Sequence, residues 1–194
     1  FQASSCLVFG KTTLYLQSET TPRCPIYPYG ISKNYADNMV AEFRDSFRLF
    51  ACSGIFYPHE SERRGDNFFT KKVCNAAARK EKLKLGDLTQ HRDWGYAKDY
   101  MEAAHQLMQA KIPTDYVIGT GKLTKTEDFV KMAFEYEGLD YKDYVEYNTE
   151  MHRSKDTNTL CANSGKLQYE LSWSPTHSVP QIIKKMIDCA RNVK

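Results

Sequence analysis

The chain has 194 residues, 41% of them hydrophobic and 26% charged, which is ordinary composition for one sizeable globular core. A net charge of +3, with the Lys and Arg scattered rather than massed, gives no argument for nucleic acid. No apolar run approaches the length of a membrane span, no signal-peptide pattern is read, and the six cysteines (Cys6, Cys24, Cys52, Cys74, Cys161, Cys189) form no C-x-x-C pair. The cysteines are therefore expected to be reduced, without disulfides or metal, which suits a cytoplasmic, reducing compartment.

Phe1-Gln2-Ala3-Ser4-Ser5 reads as the serine-rich end of a buried strand. Nothing precedes it, which predicts that a segment ahead of Phe1 is missing or comes from another chain. A polar stretch with Pro22, Pro25 and Pro28 predicts an irregular loop to about Pro28. A helix follows from Tyr29 to about Arg48, with Tyr35, Met39, Val40, Phe43 and Phe47 at helical spacing. The apolar run from Leu49 to Tyr57 predicts a strand covered on both faces. After the charged loop from Pro58 to Gly65 come a helix over Phe68 to Arg79 and a short strand at Leu83 to Leu85.

The segment His91 to Tyr100 leads into a helix carrying Ala103, Ala104, Leu107 and Met108, and Asp115 to Gly119 reads as a strand. Thr124-Lys125-Thr126-Glu127 has the form of a capping box opening a helix with Phe129, Val130, Ala133 and Phe134, stopped by Gly138. A strand near Tyr144 to Tyr147 precedes a last helix with Ile182, Ile183, Met186, Ile187 and Ala190 on one stripe and Pro180 near its start. Strands alternate with helices, so the fold class is α/β with a mostly parallel sheet.

Tyr29 and Lys33 carry the chemical signal. Positions i and i+4 share a helix face, and an ammonium beside a phenol favours the phenolate, which makes Tyr29 a candidate acid/base. Ser5, at a strand end, is the third candidate. The glycines exclude something: no G-x-G-x-x-G is present, so the turn that brings backbone amides to a dinucleotide pyrophosphate is lacking.

The segments Gln2-Ala3-Ser4-Ser5, Phe9-Gly10-Lys11, Glu19-Thr20-Thr21-Pro22, Pro28-Tyr29-Gly30-Ile31-Ser32-Lys33, His59-Glu60-Ser61, Arg63-Arg64-Gly65, Arg92-Asp93-Trp94-Gly95 and Ala97-Lys98-Asp99-Tyr100 stand in an order and spacing that resemble the GDP-mannose 4,6-dehydratase family. That family belongs to the extended short-chain dehydrogenases/reductases, which bind NADP(H) and a GDP-sugar. The resemblance implies a Rossmann-like doubly wound sheet. Residues 1–57 would form the second half of the NADP-binding domain. Residues 58–194 would form mainly the nucleotide-sugar region, with some segments returning to the sheet.

It further implies catalytic roles for Ser5, Tyr29 and Lys33. Tyr29, Lys33, His59, Arg63 and Arg64 would meet the cofactor NADP, and Arg92, Arg153 and Asp156 the substrate. Partners would be a GDP-sugar and other copies of the chain or a larger assembly, with no nucleic acid and no membrane. The chemistry implied is NADP-dependent conversion of a GDP-hexose to its 4-keto-6-deoxy form.

Three places depart from the family pattern, one of them the family's Tyr-Arg-Pro-x-Glu, which stands here as His152-Arg153-Ser154-Lys155-Asp156 with a shorter carboxylate. Leu7 stands where the family has the glutamate that removes the C5 proton, and Pro58 where it has an asparagine. Leucine cannot take a proton. Three readings stay open: an NADP-dependent lyase acting on a GDP-hexose or GDP-heptose, a related nucleotide-sugar oxidoreductase or epimerase without the elimination step, and a non-catalytic structural subunit.

Overall fold

The computed structural model describes residues 1–148 and 159–192. Its centre is a parallel three-stranded sheet in the order β1 (Gln2–Ser5), β3 (Ser53–Phe56), β8 (Tyr116–Ile118). The register sets Ser5 beside Phe56 and Phe56 beside Ile118, so the carboxyl ends of the three strands lie level. All four residues of β3 are buried, as a central parallel strand requires. The helix α1 (Pro28–Phe47) packs on β1, and α3 (Ala97–Gln109) packs on β3 and β8. Proline at the start of α1 costs no hydrogen bond, because the first helical N–H groups are unpaired in any case.

A second core is built from α2 (Phe69–Arg79), α4 (Thr126–Tyr136) and α6 (Val179–Asn192), with β5 (Leu83–Leu85) pairing in parallel with β10 (Val145–Tyr147). Ile182, Ile183, Met186, Ile187 and Ala190 are all buried on α6, so that stripe is the face α6 turns to α2 and α4. Trp94 lies 4.9 Å from the Phe129 ring and stacks on Phe69 at 6.1 Å.

Three expectations change. The stretch from Cys6 to Tyr27 is not wholly irregular. Cys6–Val8 form a 3₁₀ turn, and β2 (Leu16–Gln17) pairs in parallel with β11 (Cys161–Ala162). That pairing rests on the buried Gln17, whose Oε1 accepts from the Tyr57 hydroxyl and the Cys161 N–H, each at 2.8 Å.

The capping box does not form. Thr124–Lys125 are β9, antiparallel to β6 (His91–Arg92), so pairing with Arg92 claims Thr124, and α4 starts at Thr126 without a side-chain cap. Gly138 does turn the chain out after α4, at φ +70°. On α1, Tyr35, Met39, Phe43 and Phe47 keep helical spacing but stay exposed. All six cysteines are free thiols.

Candidate active site

Side chains alternate along β1. Ser4 Oγ donates to Asp37 Oδ2 at 2.5 Å, while Ser5 Oγ accepts from the Leu7 N–H at 3.3 Å and caps the 3₁₀ turn. On α1, Tyr29, Lys33 and Asp37 follow at intervals of four and so share one face. The Lys33 ammonium lies 5.5 Å from the centre of the Tyr29 ring and donates to the Ala3 carbonyl at 2.8 Å. The Asp37 carboxylate is buried and also receives Arg23 Nη1 at 2.6 Å. Gly30, the residue after Tyr29 on α1, permits a close approach of its own: a Cβ there would stand 2.6 Å from the Leu7 carbonyl oxygen. Leu7 is thus wedged between Ser5 and the first turn of α1.

The chain leaving β3 supplies the opposite wall. His59 Nδ1 bonds the Tyr57 carbonyl at 2.8 Å, and burial pushes the imidazole pKa below its usual value. Glu60, the next residue in β4 (His59–Glu60), is buried. It accepts from Thr70 Oγ1 at 2.7 Å and pairs with Arg64 Nε at 3.2 Å. Burial pushes its carboxyl up, against the pull of Thr70 and Arg64. The Arg64 guanidinium lies 3.6 Å over the Phe68 ring. Burial pushes the Cys6 thiol up to about 12, so it stays protonated near neutral pH.

These elements enclose a cavity of about 790 Å³ at the carboxyl ends of β1 and β3, where open parallel sheets bind ligands. The structure brings together Ser5, Tyr29, Lys33, His59, Arg64 and Arg92 on its wall, with Leu7 and Pro58 among them. Among the described residues its wall has the cations Lys33, Arg64 and Arg92 and no Asp or Glu. An anionic ligand fits such a wall.

Arg92 Nη1 reaches the His91 carbonyl at 2.9 Å and Gln90 Oε1 at 3.5 Å. Asp93 and Asp99 serve other partners. Asp93 accepts from Thr120 and from the backbone of Gly121 and Ala162, and Asp99 from Thr176 and His177.

Arg63 is exposed and is not part of the cavity wall. Arg153 and Asp156 lie outside the described residues. Sequence reasoning missed Cys6, Tyr27, Phe68, Met101 and Leu160 on the wall, and Asp37 behind it. Asp37 alone left a legible signal, four residues after Lys33 on the same helix face. Among the described residues no cluster of His, Cys, Asp or Glu could hold a metal.

Residues 1–186 match the family model described as GDP-mannose 4,6 dehydratase. GDP-mannose 4,6 dehydratase 2 of Arabidopsis thaliana is 40% identical over 193 residues, covering 97% of this chain and 52% of the relative. The chain thus spans about half the length of the curated relatives it matches. In fold it superimposes on the dTDP-glucose 4,6-dehydratase of Bacillus anthracis, solved with NAD, with TM-score 0.89 and 21% identity. That match covers 98% of this chain and 61% of the other. For RMD from Pseudomonas aeruginosa, solved with NADPH, the TM-score is 0.87 at 18% identity, over 98% and 65% of the two chains. The fold is therefore the Rossmann-like α/β fold of these enzymes, and the chain belongs to the GDP-mannose 4,6 dehydratase family.

Proposed function

We propose that this chain carries the hydride-transfer and sugar-binding wall of an NADP-dependent enzyme acting on a GDP-hexose. In the family reading, the reaction converts GDP-mannose to its 4-keto-6-deoxy form. The observation that carries the proposal is the convergence of Ser5, Tyr29 and Lys33 with Arg64 and Arg92 on one cavity. Tyr29 moves the proton at the sugar O4, and Ser5 hydrogen-bonds the same oxygen. Lys33 holds positive charge beside the phenol and faces the cofactor ribose. NADP, when bound, supplies hydride chemistry.

His59 and Arg64 stand on the cofactor side, with Arg63 on the exposed loop next to them, and Arg92 holds the sugar diphosphate. We assign Arg153 and Asp156 to the substrate as well. In this reading residues 1–57 serve mainly the cofactor and 58–194 mainly the nucleotide sugar. The exposed apolar stripe of α1 suits an oligomer, and six free thiols suit the cytoplasm.

A second reading, C4 oxidation and reduction without elimination, is favoured by Leu7. No carboxylate among the described wall residues replaces the base it lacks. Calorimetric titration with GDP and GDP-mannose tests the nucleotide-sugar assignment. Saturable binding is expected, weakened about tenfold or more by Arg92→Ala, the loss of one charge-assisted contact. Absence of binding by either ligand would count against it.

A further inference from the structure

Directed polar bonds hold α1 on β1. Gly30 and Asp37 are the buried residues of α1, and among the described residues the apolar core around the central sheet takes none from this helix. Lys33 Nζ donates to the Ala3 carbonyl at 2.8 Å, and Asp37 Oδ2 accepts from Ser4 Oγ at 2.5 Å. Helix positions four apart are thus tied to successive residues of β1. The next residue of β1 is Ser5, and one turn before Lys33 on the same helix face is Tyr29. Ser5 and Tyr29 both line the cavity, one from the strand and one from the helix. Their separation therefore depends on where α1 sits along β1.

We propose that Asp37 is a positioning residue for hydride transfer: through Ser4 it sets the place of α1 on β1, and so the distance between Tyr29 and Ser5. The inference rests on the hydride-transfer reading above and adds to it a residue that is not on the cavity wall. Lys33 is assigned to the cofactor, which leaves the Asp37–Ser4 bond as the tie that no ligand competes for. The arrangement is costly. Asp37 Oδ1 is buried without a hydrogen-bond partner among the described residues, and Arg23 Nη1 meets Oδ2, the oxygen already bonded to Ser4, at 2.6 Å. Apolar side chains of similar volume would join the two elements without that cost. Apolar attraction is non-directional, however, whereas a hydrogen bond holds its partner in distance and angle. Precision matters here, because misplacing a reacting group by about 1 Å costs about a hundredfold in rate.

Hydride exchange between GDP-mannose and millimolar NADP tests this on the unmodified chain, on Ser4→Ala and on Arg23→Met combined with Asp37→Leu, with urea unfolding of each. The expected kcat is about ten- to a hundredfold lower in both variants, with KM for GDP-mannose within about threefold. The apolar pair should still unfold near the urea concentration of the unmodified chain, since no charge is left buried alone. Ser4→Ala removes one hydroxyl and keeps the Arg23–Asp37 pair, so it decides the matter where the apolar pair folds poorly. A Ser4→Ala rate within about threefold of the unmodified rate overturns the inference and leaves the hydride-transfer reading in place. So does a raised KM at unchanged kcat, or a rate loss that only tracks lost stability across the variants. An unmodified chain that exchanges no hydride overturns both.

Discussion

Ser4 and Asp37 share a 2.5 Å hydrogen bond that fastens the end of β1 to the same helix face that carries Tyr29 and Lys33. Arg23 closes the cluster by pairing with the same Asp37 oxygen, so the loop entering α1 is anchored too. Asp37→Ala would leave Ser4 and Arg23 without their acceptor. Breaking a buried ion pair from one side typically costs about 3–5 kcal/mol, and Arg23, part exposed, relaxes toward water, which favours the low end. Urea unfolding should show a loss of about 3 kcal/mol. Arg23→Met combined with Asp37→Leu should recover much of it, because no buried charge is then stranded.

Gly30→Ala sets two effects against each other. Alanine is the better helix former by about 1 kcal/mol. The new Cβ, however, meets the Leu7 carbonyl oxygen at 2.6 Å, and a backbone atom cannot swing aside. Overpacking of this kind costs about 1–3 kcal/mol. A net loss of stability is expected in thermal unfolding, together with weaker nucleotide-sugar binding, because the Leu7 segment must move away from α1.

Tyr29→Phe removes the proton carrier and leaves the ring. Hydride exchange between a GDP-sugar and NADP, followed at 340 nm with millimolar NADP, should fall about a hundred- to ten-thousand-fold. The dissociation constant for GDP should stay within about threefold, since the phenol is assigned no role toward the diphosphate. Unchanged exchange would remove Tyr29 from the reaction.

His59 gives a pH dependence of definite sign. Burial lowers its pKa in the folded state below the unfolded value of about 6.5. The unfolded chain therefore binds more protons below about pH 6.5. The contribution of neutral His59 is fully present above that pH and is lost as pH falls toward the folded pKa, by at most about 1.4 kcal/mol per pH unit. The unfolding midpoint of His59→Gln should fall less steeply with acid over that window.

NADP by itself should bind this chain more weakly than micromolar. Lys33, His59 and Arg64 offer charge and hydrogen bonds on the cavity wall, but the sequence holds no glycine turn for a pyrophosphate. Fluorescence titration of NADPH checks this, and saturation at micromolar concentration would mean that other backbone amides hold the phosphates.

The sequence by itself determined five helices, the central strand and the Tyr29–Lys33 pair, because helical spacing and apolar runs are local patterns, but it gave no sign of the short helix over Gly165–Leu171. Ile182, Ile183, Met186 and Ile187 named their own buried face before any partner was known. Only the tertiary structure decided what those faces met.

Tyr35, Met39, Phe43 and Phe47 have the same helical spacing on α1 and lie exposed, because periodicity states that a face is apolar and not that something covers it. The pairing of Leu16–Gln17 with Cys161–Ala162, the binding of Asp93 to Thr120 and Ala162, and the wall on which Leu7, Cys6, Met101 and Leu160 meet all join segments far apart in the chain. Such contacts arise from packing distant segments about the central sheet. No local pattern in the sequence encodes them, so the charge and polarity of the cavity became readable only once the chain was folded.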